Sequence, residues 1–229
     1  MKKLIIAIAV TGLVALSSHA QGLVLFTSST QAQSTNNTLA QLGNTASGRL
    51  SPANNYYFAL FYSTTITSGS AMQGGAGANS TYLGSEGYAF ANAGWTLVTQ
   101  TIATNTGVAG RFSAAGPNAD GSTTVNGLAS GSSANFVIVG WSANLGNSIT
   151  ALEAALATPG TFGFLGESSV SGSITAGNGG TIPTPALMGS LSPTIGAFTL
   201  GSFQTVPEPT TLALAAMGVS SLLLFRRKK

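Results

Sequence analysis

Residues 56–63 read YYFALFYS and residues 135–142 read NFVIVGWS. Each run lacks Pro, is rich in aromatic and β-branched side chains, and is flanked by Asn, Ser, Thr or Ala. Both are too short for a buried helix, which needs about ten residues or more, so they are assigned as strands. Alternate side chains of a strand point to opposite faces, and a half-buried strand would alternate apolar with polar. These do not. Tyr56, Phe58, Leu60 and Tyr62 share one face, with Tyr57, Ala59 and Phe61 on the other. Phe136 and Ile138 likewise oppose Val137, Val139 and Trp141. Both strands are expected inside a sheet, with apolar side chains to bury on either face.

Working outward, GLVLFTSS (22–29), GWTLVTQTI (94–102) and TFGFLG (161–166) carry the same strand signal between turn formers. GVAGRFSA (107–114) and IGAFTLGSF (195–203) carry it more weakly. One segment has helical character, SITALEAALATPG at 148–160. Ser148 is placed to cap it, Ile149, Leu152 and Leu156 share a face, and Pro159-Gly160 ends it. Glu153 falls opposite that face. The pattern predicts an all-β fold, a single β-sandwich or jelly-roll-like domain over residues 21–205 with one short helix. The Gly/Ser/Thr-rich stretches 29–53, 64–80 and 171–186 are expected as mobile surface loops.

Facing sheets cover one face of each strand. The second face must be covered by loops and the helix, or must meet another molecule, because an exposed patch above a few hundred Å² marks an interaction site. Any single large aromatic is expected to fill the core. For the uncovered strand face the expectation is contact with a partner, by self-association or binding of a matrix polysaccharide, with Tyr56, Tyr57, Tyr62, Trp95 and Trp141 as the candidate residues.

The two ends have a different logic. Lys2-Lys3, an apolar core from Leu4 to Leu16 and the small residues of Ser18-His19-Ala20 make a secretory signal peptide over 1–20. Cleavage after Ala20 would leave Gln21 as the new N-terminus. At the other end, Val206-Pro207-Glu208-Pro209 precedes 16 uncharged residues, Thr210 to Phe225, and then Arg226, Arg227, Lys228 and Lys229. As a helix the apolar stretch would rise roughly 24 Å, the short end of a membrane span. The basic tail would stay on the cytoplasmic side and the rest of the chain outside the inner membrane. Two prolines around Glu208 hold the backbone extended, a form that a processing enzyme can grip.

This order of VPEP, apolar helix and basic tail at 206–229 resembles the PEP-CTERM sorting signal of exported bacterial proteins. The resemblance implies an exosortase as processing partner, a transpeptidase of the membrane that removes the tail. It also implies an inner-membrane-anchored precursor and a final place at the cell surface or in an extracellular polysaccharide (biofilm) matrix.

Loss of both ends changes the chemistry available. The span from 21 to 208 keeps Arg49 and Arg111 against Glu86, Asp120, Glu153, Glu167 and Glu208. No basic patch remains, so nucleic acid is not an expected partner. The only histidine, His19, leaves with the signal, and there is no cysteine. Triads built on His or Cys, the usual zinc ligand sets and disulfides are thereby excluded. No cofactor or metal is expected. Asn118 and Asp120-Gly121 sit in a turn signal that lacks the acidic first ligand and closing Glu of an EF-hand calcium loop. A glycosidase would need two carboxylates within about 5–10 Å, and Glu86 with Glu167 would meet that need only if the fold placed them face to face. The expected function is that of a non-catalytic exported structural protein. A carbohydrate-binding module is the alternative, and a matrix-degrading enzyme is less favoured by so few carboxylates.

Overall fold

The computed structural model describes residues 21–28, 32–36, 48–73, 87–114, 118, 121–189 and 194–205. The expected signal peptide, 1–20, and the expected sorting signal, 206–229, lie outside these residues. So do Glu86, Asp120 and Tyr82.

The fold is mostly β. In chain order the strands are β1 (Gln21–Val24), β2 (Ser34–Asn36), β3 (Gly48–Arg49), β4 (Tyr56–Ser63), β5 (Met72–Gln73) and β6 (Thr96–Asn105). They continue with β7 (Phe112–Ser113), β8 (Thr123–Ala129), β9 (Ser133–Ser142), β10 (Phe162–Glu167), β11 (Ile174–Thr175) and β12 (Thr199–Gln204). Helix α1 (Ile149–Ala157) is the one α-helix among the described residues. Its cap is the one expected: Ser148 Oγ accepts the Ala151 N–H at 3.2 Å, and Leu152 and Leu156 are buried. No helix of the described residues is long and apolar enough to cross a membrane.

A large curled sheet dominates, in the order β3-β2-β12-β10-β9-β4-β6-β7, with β5 on β10 and β11 on β9. Two comparable facing sheets were expected; the second layer is instead a two-stranded ladder, β1-β8. The ladder strand and the residues just after it make single bridges from Leu23 to Gly177 and Leu25 to Ala186, in the segments between β11 and β12, and from Thr27 to Ser113 in β7. Strands β4 and β9 are central, as their composition demanded. They run antiparallel over eight residue pairs, from Tyr56–Ser142 to Ser63–Asn135.

The two faces of this pair bury separate clusters. On the inner face, Phe58, Leu60, Phe136 and Ile138 meet Val24, Phe26, Val125 and Leu128 from the ladder, and Leu187, Ile195 and Phe198 from the segments before β12. Phe58 stacks on Phe112 with ring centroids 4.3 Å apart, and Phe26 meets the edge of Phe112 at 5.3 Å. Gly140 stands opposite Phe58 in the register. A Cβ there would lie 2.8 Å from the Phe58 ring, so the ring occupies the space that Gly140 leaves. On the outer face, Ala59, Phe61, Val137, Val139, Trp141, Leu165 and Phe203 lie beneath α1 and two 3-10 turns, Ala89–Ala91 and Ala143–Leu145. Leu145, Leu152, Leu156 and Tyr88 supply the cover.

The three stretches expected as mobile loops each contribute strand. Ser34–Asn36 and Gly48–Arg49 lie within 29–53, Met72–Gln73 within 64–80, and Ile174–Thr175 within 171–186. Their backbone groups are taken up by neighbours, since a buried amide left unpaired is costly.

Candidate functional site

The five aromatics expected to face a partner fall into two groups. Tyr56, Tyr62 and Trp141 are buried, with Trp141 0% exposed. The expectation for these three is corrected. The cover supplied by α1 and the 3-10 turns leaves Trp141 no open face, and its indole N–H donates to the Gly146 carbonyl at 2.7 Å. Tyr62 lies in the inner cluster and its hydroxyl donates to the Asn126 carbonyl at 2.8 Å. Tyr56 meets Phe164 edge-on at 6.2 Å. Tyr57 and Trp95 are half-buried and pack against the outer cluster. Among the described residues the large exposed apolar side chains are Val108 and Phe162, which are far too little for an aromatic docking face.

Of the carboxylates considered for catalysis, Glu167 ends β10 and is buried, 5% exposed. Desolvation pushes its pKa up to about 7, and the Ala89 N–H, donating to Oε2 at 2.6 Å, pulls the other way. The bond ties the Ala89–Ala91 turn to the sheet. Glu153 is on the exposed side of α1. Glu86, the other half of the pair considered above, lies outside the described residues.

The sequence did not announce a cleft of about 410 Å³ at one end of the sheet. Ser51, Asn55, Tyr56, Ser142, Asn144 and Phe164 line it. One wall is the loop before β4, the other the turn after β9. Buried Asn105, at the end of β6, builds the first wall. Its Nδ2 donates to the Pro52 carbonyl at 2.6 Å, and its Oδ1 accepts the N–H groups of Asn55 and Tyr56 at 2.8 and 2.9 Å. The Ala143 N–H donates to the Asn55 carbonyl at 2.8 Å and joins the two walls. The second wall is held to β10: Asn144 Nδ2 donates to the Phe162 carbonyl at 2.7 Å, and Ser142 Oγ accepts the Phe164 N–H at 2.9 Å. Tyr56 and Phe164 also contribute to the lining, but both are buried and belong to the inner cluster. Among the described residues no charged side chain lines the cleft. The available signal was the run SPANN at 51–55, turn formers set directly before the most apolar strand.

The expected sorting signal adjoins the folded body at Thr205. Strand β12 lies between β10 and β2, and its Gln204 pairs with Phe162. The next residue is held on both sides by the turn after α1. The Thr205 N–H donates to the Thr161 carbonyl at 2.8 Å, and its carbonyl accepts the Gly160 N–H at 2.9 Å. Its hydroxyl donates to the Thr158 carbonyl at 2.6 Å and accepts the Thr161 N–H at 2.9 Å. Gln21, the expected first residue after signal cleavage, opens β1. Ala20, the Val206-Pro207-Glu208-Pro209 motif and the Arg226, Arg227, Lys228, Lys229 tail lie outside the described residues.

Comparison with known proteins identifies one feature. The family model of the PEP-CTERM protein-sorting motif matches residues 205–228. No curated protein matches the chain, and no solved structure does. The chain therefore carries the sorting motif of exosortase substrates, which implies an exported, membrane-anchored precursor sorted to the cell surface. The matched segment begins at Thr205, the residue after β12 that is bonded to the turn after α1.

Proposed function

We propose that this chain is a non-catalytic structural protein of the cell surface or extracellular polysaccharide matrix, delivered there by exosortase processing. The observation that carries the reading is the sorting motif at 205–228, set directly against a self-contained β body. The make-up of the body favours structure over catalysis. Most aromatics of the described residues lie in its own two clusters. Its buried carboxylate, Glu167, bonds a backbone amide, and histidine and cysteine are absent after Gln21. Degradation of matrix polysaccharide is disfavoured on the same grounds. A second reading, contact with matrix polysaccharide, is favoured by the cleft, which is uncharged, amide- and hydroxyl-lined, and held open by Asn105.

Replacing Pro207, Glu208 and Pro209 together with Ala removes the extended motif and leaves the body intact. The variant is expected in the membrane fraction with its tail attached, while the parent appears outside the cell. Equal release of the two would exclude the exosortase route. A strain lacking the protein should lose matrix cohesion; an unaltered matrix would argue against the structural role.

A further inference from the structure

We propose that the cleft between the loop before β4 and the turn after β9 is a binding site for a neutral saccharide. The inference rests on the second reading above, contact with matrix polysaccharide, and assigns it a place. It starts from which polar groups of the cleft are already engaged. Among the described residues no partner holds the Asn55 side-chain amide, which is exposed at the mouth. Asn144 uses one N–H on the Phe162 carbonyl, leaving its second N–H and its Oδ1 free to bond. Ser142 Oγ accepts from Phe164 and retains its own hydrogen to donate. The Ser51 hydroxyl is exposed beside them.

These groups offer donors and acceptors side by side and no charge. Adjacent hydroxyls on a sugar ring, each both donor and acceptor, match that set. A phosphate or carboxylate ligand would want an Arg or Lys, and among the described residues none lines the cleft. Phe162, whose carbonyl accepts from Asn144 Nδ2, is 40% exposed and offers an apolar side chain next to the second wall. The volume, about 410 Å³, is in the range of small-ligand sites, about 300–1,000 Å³. The walls are also fixed before any ligand arrives. Asn105, 1% exposed, makes three bonds to the 52–56 backbone, and the Ala143–Asn55 bond spans the walls. A site held this way loses little freedom on binding.

The test uses the processed protein purified from the culture medium. Calorimetry is run with three neutral hexasaccharides, cellohexaose, maltohexaose and laminarihexaose, and with hexagalacturonate as the acidic probe. At least one neutral hexamer is expected to bind with a Kd of about 1 mM or tighter, and hexagalacturonate is expected not to bind. Asn55→Ala combined with Asn144→Ala should weaken the binding by about tenfold or more, because two side chains that bond the ligand are removed. Glu153→Gln, on the exposed side of α1, should leave it unchanged. Asn55→Ala alone, whose side chain has no role in the fold, should weaken it in part and so guards against misfolding of the double variant. Absence of binding to all three neutral probes, binding confined to the acidic probe, or binding that survives both Asn substitutions would overturn the proposal. None of these results bears on export or tail removal, which are followed by fractionation.

Discussion

The two faces of the β4–β9 pair are equally apolar, yet they are buried by different means. The inner face is closed by more β structure, the β1-β8 ladder, with aromatic rings meeting at defined angles. The outer face is covered by α1 and two 3-10 turns, short pieces held in place one by one. Ser148 caps the helix, Glu167 holds the Ala89–Ala91 turn, and Trp141 bonds the Gly146 carbonyl after the other turn. An apolar strand face is therefore no evidence of a docking surface when the chain carries its own cover. The inner face depends on shape, the outer face on a few polar anchors.

The largest effect is expected where both modes of cover converge on one strand. Val137, fully buried on the outer face of β9, stands in the register opposite Phe61. Val137→Asp places an unpaired carboxylate there at a cost of several kcal/mol, of the order of the whole stability of a domain. The variant is expected to be unfolded, as circular dichroism would show. A native melting transition would mean that the α1 cover lifts off easily.

Truncations rank the faces. Phe58→Ala, on the inner face, should cost about 3–5 kcal/mol in denaturant titration, because the ring stacks on Phe112 in a space that cannot collapse. Leu152→Ala, under α1, should cost about 2–4 kcal/mol, since a helix can shift to fill part of the gap. A larger loss for Leu152→Ala would reverse the comparison and make the helical cover the stiffer side.

Glu167 sharpens it through pH. Folded, its pKa is about 7; unfolded, it returns to the ordinary value near 4.5. Between these limits the folded state keeps a proton that the unfolded state has released, so stability falls as pH rises through the window and is level above it. The fall amounts to about 3 kcal/mol. Glu167→Gln keeps an acceptor for the Ala89 N–H and removes this slope. Melting temperatures of the two proteins between pH 4.5 and 8 should diverge with rising pH, the Gln variant being the more stable at pH 8. Parallel curves would show that the carboxyl is solvated.

Much of the fold could be read before the structure. β4 covers the whole run YYFALFYS, and α1 begins at the residue after its expected cap. Both depend on local composition, which sequence displays. β8, TTVNGLA, escaped notice because Thr and Asn dilute its apolar side chains, and its burial is settled by pairing with β1, a hundred residues away. The short strands in the supposed loops escaped for the same reason. The sorting motif was legible because order along the chain defines it. The cleft was not, since its walls come from residues 51–56 and 142–144, far apart in the chain, and are brought together by the Tyr56–Ser142 register and the Ala143–Asn55 bond. The sequence left open what covers the outer face, because it showed one short helix and did not show how the 3-10 turns would join it.

The most direct test of the account is the intact mass of the protein recovered outside the cell. The account predicts a chain that starts at Gln21, retains the body through Thr205, and lacks the apolar segment and the RRKK tail. Extracellular protein that still carries Leu222 to Lys229 would contradict it.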